Sequence, residues 1–448
     1  SNQGMRIDVA SGNLTQANSI SAGTGVVSLN AATGGVVQLN VARAPEATAP
    51  IVTASALQVT SGDTSQLVND NQVGTLSAQV GGTAKDLSVV VAQGLVLGQS
   101  TDIDGRVLNG LNISGNAWVQ ARAGNITQTQ TVTAAGLAAK ASGGITLDLG
   151  APTGQNQIGV FAGAAGTGTV NLLTQTSVEV DSVGTAAANA RLGGPLLGVQ
   201  TQNQSATIRS DVGSITLSQN VSVGTGTLSL EASGSLTQTG GAVTADKLRL
   251  LSSQSGSIDV QQAGNSVNTL AAEAANGSLA FRNAGALTVG SVTVGLGSVQ
   301  GTTVGIDTSA SNKDQLVKTA GGLTLTQNVS AGTGTVNLEA ATGGVTQTGG
   351  IISSDQLRVL AGGTGDVDLQ KANLVNTVAA KVAGGTFALN NDKALVVGSI
   401  TRTVGLAGSD MTVSGIDTSA SNKDQLVKTA GGLTLTQNVS AGTGTVNL

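Results

Sequence analysis

Gly305-Ile-Asp-Thr-Ser-Ala-Ser-Asn-Lys-Asp-Gln-Leu-Val-Lys-Thr-Ala-Gly-Gly-Leu-Thr-Leu-Thr-Gln-Asn-Val-Ser-Ala-Gly-Thr-Gly-Thr-Val-Asn-Leu338 recurs letter for letter from Gly415 to Leu448. A copy this long points to tandem duplication of a structural unit. Repeats at fixed period stack so that each buries its apolar face only against its neighbours. Within the copy, Leu323-Thr-Leu-Thr-Gln327 and Gly334-Thr-Val-Asn-Leu338 alternate apolar with polar residues at period two, the pattern of short strands. Gly-rich turns such as Ala331-Gly-Thr-Gly334 separate them.

Working outward, a Gly-x-[Leu/Ile/Val]-Thr-Gln pattern occurs at Gly12–Gln16, Gly124–Gln128, Gly234–Gln238 and Gly343–Gln347. A second marker follows at Val73-Gly-Thr-Leu76, Ile158-Gly-Val-Phe161, Val267-Asn-Thr-Leu270 and Val375-Asn-Thr-Val378. A third is Gly94-Leu-Val-Leu-Gly98, Ala286-Leu-Thr-Val-Gly290 and Ala394-Leu-Val-Val-Gly398, with Ser177-Val-Glu-Val180 as a diverged counterpart. Their constant order places units at 1–117, 118–212, 213–320 and 321–430, with 431–448 opening a fifth. The second marker steps from Val73 to Ile158 between the first two units, a clearly shorter stride than Ile158 to Val267 or Val267 to Val375. The early units therefore carry indels. Pro45 and Pro50 mark an inserted loop near 44–50, since Pro is excluded from interior strands. Pro152 and Pro195 sit in Gly-flanked stretches.

Composition agrees with coiling. Of 448 residues 65 are Gly and 39% are hydrophobic, yet aromatics make up 1%: Phe161, Phe281, Phe387 and Trp118, with no Tyr. Such a chain fills a narrow interior with small aliphatic layers instead of an aromatic core, and it is too apolar for a disordered linker. The fold expected is all-β: a β-solenoid built of ~110-residue tandem repeats. At roughly 20 residues per coil each repeat holds about five coils, and ~4.8 Å per coil extends the chain on the order of 100 Å. The Ala-rich stretch Thr131–Lys140 admits a helix, but its counterpart Ala242-Val-Thr-Ala-Asp-Lys-Leu-Arg249 favours strand.

Composition also excludes chemistry. There is no Cys, hence no disulfide or thiolate site, and no His, the commonest general base and transition-metal ligand. The net charge of −5 carries no basic stripe for nucleic acid. No apolar run reaches the ~18 residues of a membrane span, and Ser1-Asn-Gln-Gly-Met5 does not open a signal peptide, so the chain is expected to be mature or cut at both ends.

Units of the form Gly234-Ser-Leu-Thr-Gln-Thr-Gly240, Ala245-Asp-Lys-Leu-Arg-Leu250, Ser266-Val-Asn-Thr-Leu270 and Gly285-Ala-Leu-Thr-Val-Gly290 resemble the repeat shafts of filamentous haemagglutinin-like exoproteins of two-partner secretion. The resemblance is clearest from about Ser210 onward. It implies a right-handed parallel β-helix, an outer-membrane transporter as export partner, and work at the bacterial cell surface. The family's export module carries Asn-Pro motifs and no Asn-Pro pair occurs here, so the likeness is to the shaft alone.

Candidate sites each have a plain structural reading. The cluster Asp307 to Lys318, with Lys313 and Asp314, repeats as Asp417 to Lys428, and reads first as a solvated turn and second as a protruding binding loop. Gly362-Gly-Thr-Gly-Asp366-Val-Asp368 approaches a calcium nonapeptide with its carboxylate out of frame, and Asp102-Ile-Asp104-Gly lacks further oxygen donors. Glu179 and Asp181 are a weak carboxylate pair. Asn-x-Ser/Thr triplets lie at Asn13, Asn112, Asn125, Asn203, Asn220, Asn276, Asn328 and Asn438. Thr324 and Thr326 suggest an ice-binding face only if repeated on every coil.

No residue is therefore assigned to catalysis, cofactor or metal. The expectation is a non-enzymatic shaft of a secreted adhesin or exoprotein, serving adhesion or biofilm matrix. Its partners would be a host or cell-surface glycan or protein, or a matrix polysaccharide. The alternative is a subunit of a self-assembling extracellular filament, joined end to end or laterally.

Overall fold

A computed structural model describes residues 3–39, 49–150, 155–186, 194–297, 299–405 and 411–448. The chain forms two compact units, Ser1–Gly224 with Leu296–Val299, and Thr225–Gly295 with Gln300–Leu448, a division that does not follow the repeat boundaries. Each unit is a parallel β-helix. In the second, Gln315 pairs with Val336, Thr335 with Gln356 and Gln356 with Thr377, each step one full coil along the chain. In the first, Val27 pairs with Leu57 and Leu57 with Leu76. The Thr131–Lys140 stretch is strand, Val132–Ala141.

The period-two pattern sets the interior. Val317, Leu338, Val359 and Ala380 stack in register and are buried, as do Leu29, Val59 and Ala78 in the first unit. Phe161, Phe281 and Phe387 are all buried as well.

A coil consists of one long strand and two short ones. One coil of the second unit runs Thr335–Ala340, Val345–Gln347, then the start of Ile352–Ala361. Once per repeat the roles exchange. The long strand Ser266–Ala274 is overlaid by two separate pieces, Thr288–Val289 on Thr269–Leu270 and Ile306–Asp307 on Ala272–Glu273. Between the pieces a two-stranded hairpin, Ser291–Leu296 with Val299–Val304, leaves the coil. On the other side, the short strands fuse into the single strand Leu279–Asn283.

The same exchange occurs at Gln99–Thr101 with Val107–Asn109, at Ser182–Val183 with Leu196–Leu197, and at Ser399–Thr401 with Thr412–Ser414, all three antiparallel. Within the second unit, the column that splits at Leu287–Val289 continues through Leu323, Val345 and Val367 to the fused strand Phe387–Asn391, and only then does the next hairpin leave, from Leu395–Val397. One repeat there is four and a half coils, not five. In the first unit the path is Leu95, Ile126, Ile145, Val170, then Val178–Val180: three and a half coils. The short stride from Val73 to Ile158 is therefore the loss of one whole coil, which leaves every stack in register.

The first marker also moves. Leu14-Thr-Gln16 lies under Val36-Val-Gln38 as Leu323-Thr-Leu325 lies under Val345-Thr-Gln347. Gln38, not Gln16, is thus the counterpart of Gln347; adjacent coils share the Thr-Gln pattern, and sequence alone chose the wrong one. The loop at 44–50 and Pro152 fall largely outside the described residues. Pro50 itself is buried, and its carbonyl accepts a bond from Asn69 Nδ2 at 2.7 Å. Pro195 directly precedes the strand Leu196–Leu197.

Candidate functional site

The charged cluster is a coil corner, not a protruding loop. Asn312 takes a left-handed conformation (φ 56°), its Oδ1 accepts Thr333 N at 2.9 Å, and Asp314 Oδ1 accepts Thr335 N at 2.8 Å. The second copy repeats this with Asn422 and Asp424 on Thr443 and Thr445. The carboxylate holds the next coil's backbone, a charge-assisted bond that fixes the corner. Lys318 pairs with Glu339 at 3.1 Å, while Lys313 is exposed.

Other candidates are consumed in the same way. Asp366 Oδ1 accepts Thr386 N at 2.7 Å, and Asp368 accepts Gln370 Nε2 at 2.9 Å. Asn13, Asn125 and Asn328 accept the backbone N–H of Gly35, Gly144 and Ile351, each at 2.8 to 2.9 Å, so these triplets mark corners. Asp102 and Asp104 turn toward Arg6, both at 3.2 Å, and Asp8 joins at 2.8 Å. The Arg6 and Asn30 hydrogen bonds hold the Asp8 carboxyl below its ordinary pKa. Glu179 accepts a bond from Ser218, whereas Asp181 lends its carbonyl to Gly198 N at the hairpin base. Thr326 Oγ1 donates to Val289 O at 2.9 Å, so the Thr-x-Thr hydroxyls do not form a free face. Among the described residues no three acidic, His or Cys side chains are grouped to hold a metal.

Two devices escaped sequence reading. The first is a buried Gln–Asn pair in every repeat. Gln347 Nε2 donates to Asn373 Oδ1 at 2.8 Å, while Asn373 Nδ2 donates to Gln347 Oε1, Leu369 O and Asn390 O. Gln38 with Asn71, Gln128 with Asn156 and Gln238 with Asn265 do the same. Its signal was present: each Asn stands two residues before the second marker.

The second device is the hairpin, a roof over the coil's outer face. Val183 and Leu196 pack on Trp118, Ala138 and Ala162; Ile400 and Val413 pack on Ala379. Below Ala379 in the same outward column lies Arg358, wholly buried, and below Ala271 lies Arg249. Arg249 meets Glu231 at 3.0 Å and Thr303 of its hairpin at 2.9 Å. Arg358 meets Glu339 at 2.8 Å, and Arg402, at the end of its hairpin strand, reaches the same carboxylate at 3.3 Å. Burial pushes Glu339 up, but the Lys318 hydrogen bond and the charges of Lys318, Arg358 and Arg402 outweigh it, and its pKa is lowered. The third marker is the launch point of the roof. The chain re-enters the coil at Gly305 and Gly415, with φ of +70° and +72°, where a Cβ would meet the Asn328 and Asn438 carbonyls at 2.0 Å.

Beside the roof each unit has a groove. Lys318, Glu339, Leu360 and Lys381 line the one in the second unit, and Gln120, Arg122, Lys140 and Gln200 line the one in the first. No known family model, no curated protein and no solved structure matches this chain.

Proposed function

We propose that this chain is a structural, non-catalytic repeat shaft of a filamentous haemagglutinin-like surface exoprotein, exported through an outer-membrane transporter and serving adhesion or biofilm matrix outside the cell. The observation that supports this reading most is repetition of the scaffold. The buried Gln–Asn pair, the Asn and Asp corners and the hairpin roof recur from repeat to repeat, and the acidic motifs are spent on the scaffold. An enzyme concentrates its chemistry at one place; a shaft repeats the parts that hold coils together. Repeated surfaces also add weak contacts to host or matrix glycans through multivalency.

Electron microscopy of the purified chain across a hundredfold concentration range tests the reading. Separate particles whose length is independent of concentration are expected, and cells displaying the chain behind an export module should gain attachment to glycan-coated surfaces. Fibres that lengthen with concentration would replace the shaft by a polymerising subunit. Displayed chains that leave attachment unchanged would remove the adhesive role.

A further inference from the structure

The two identical copies, Gly305–Leu338 and Gly415–Leu448, sit on platforms built alike. Leu279, Phe281 and Leu287 pair with Gln315, Val317 and Leu323 of the first copy. Phe387, Leu389 and Leu395 pair with Gln425, Val427 and Leu433 of the second. Each platform thus offers one Leu and one Phe to the same two inward columns. The strands paired with each platform lie wholly inside the copied sequence. Either copy therefore makes, on a given platform, the contacts that the other makes there. Only the covalent chain ties a copy to its own place.

The hairpins through which the chain enters each copy are interchangeable too. Gly305 N donates to Gly290 O at 2.7 Å, and Gly415 N to Gly398 O at 2.8 Å. Ser291-Val-Thr293 and Ser399-Ile-Thr401 lead out, with Val292 and Ile400 buried, and Thr302-Thr-Val304 and Thr412-Val-Ser414 lead back. Thr293 bonds Thr302 and Thr401 bonds Thr412 across the ribbon, each at 2.8 Å. A hybrid ribbon, with Thr293 of one chain beside Thr412 of another, keeps this hydroxyl pair and the buried aliphatic row. Its costs are local. Arg249 loses Thr303 but keeps Glu231 and Ser229, at 3.0 and 3.1 Å, and the Thr403 bond to Asp314 is lost at the crossing.

We propose that two copies of this chain associate by unequal exchange. The first chain runs to Thr293 and receives Thr412–Leu448 of the second; the second runs to Thr401 and receives Thr302–Leu448 of the first. Every copy still sits on a platform, and the total of coils is unchanged. One β-helix gains a whole repeat that the other loses. Repeat chains are prone to swapping identical elements, and here the exact copy permits a swap out of step. The binding partner is a second copy of this chain, joined through folding and not through an exposed face. The inference rests on the copies and the hairpins, and stands whether or not the chain is an exported shaft.

The chain has no Cys, so introduced thiols are the only ones present. Full chains carrying Thr293→Cys and full chains carrying Thr412→Cys are unfolded together in urea, refolded by dilution and oxidised. Both positions are exposed, and far-ultraviolet circular dichroism checks that each variant folds. In the unexchanged chain Thr293 faces Thr302 and Thr412 faces Thr401, so unequal exchange is what brings the two thiols within disulfide reach. A disulfide-linked heterodimer is expected. Diluting the refolding mixture about tenfold should lower its share about tenfold, since exchange competes with closure inside one chain. A single chain with Thr401→Cys and Thr412→Cys, closing its own bridge, serves as the control for ribbon geometry. Absence of the heterodimer where that control closes would overturn the proposal. So would as much heterodimer from mixing the folded proteins, or as much Thr293→Cys homodimer as heterodimer, because either means collision at the surface. Sedimentation counts dimers without relying on the bridge, and a refolded chain that is purely monomeric at high concentration would overturn it as well.

Discussion

Replacing Asn156 by Ala should remove one of the most heavily used side chains in the first unit. Its Oδ1 accepts Gln128 Nε2 and Val132 N, both at 2.9 Å. Its Nδ2 donates to Gln128 Oε1 at 2.9 Å, Leu147 O at 3.1 Å and Leu173 O at 2.9 Å. The residue is wholly buried, so no water replaces these bonds. Gln128 keeps one partner, since its Nε2 also reaches Gln130 O at 2.9 Å. Val132 N–H is left orphaned in the interior. One unsatisfied buried donor costs about 1 to 3 kcal/mol, and the remaining lost bonds add about 1 kcal/mol apiece at most, giving a total between about 1 and 7 kcal/mol. The assay is urea unfolding followed by Trp118 fluorescence, because repeat arrays unfold in parts and a local reporter isolates the affected coils. Hydrogen exchange at Val132 should accelerate in parallel. A loss below about 1 kcal/mol, with Val132 still protected, would refute the idea that the Gln–Asn pair holds the corner.

Three further outcomes concern the roof and the coils. Gly305→Ala places a Cβ 2.0 Å from the Asn328 carbonyl at φ +70°, whereas Gly285→Ala meets nothing within 4 Å; thermal melts should show a loss of about 2 kcal/mol or more for the first and under about 1 for the second. Glu339 has a lowered folded pKa, so its contribution is fully present above the ordinary glutamate range and is lost as pH falls through the lowered value; exchange at the Arg402 amide should rise there, and Glu339→Gln should abolish that step. Excising 315–335 removes one register step, from Gln315 to its partner Val336, and should yield a folded protein by circular dichroism. Excising 315–325 should not, because half a step turns the inward columns outward.

Much of the fold was legible in the sequence because period-two alternation and glycine corners are local properties. Leu323-Thr-Leu-Thr-Gln327 announces a strand and a corner whatever surrounds it. The coil number was misjudged because a hairpin has the same alternation as a coil strand; only hydrogen bonding tells Ser399–Thr401, paired antiparallel with Thr412–Ser414, from Leu395–Val397, paired parallel with Leu433–Leu435. Corner residues such as Asp314 looked like surface charge because their partner, Thr335 N, belongs to the next coil. The buried Arg358 could not be read at all, because only its place in the column beneath Ala379 and the roof removes it from solvent.

The half coil in each repeat gives this architecture a parity. A duplication of one repeat in the second unit's pattern adds four and a half coils, so whatever follows leaves from the opposite side of the β-helix. Duplication of two restores the original aim. Loss of a whole coil, as in the first unit, shortens the stack without turning it. Copy number and coil number are thus independent controls: one selects the side on which the hairpins are shown, and the other sets the distance between them.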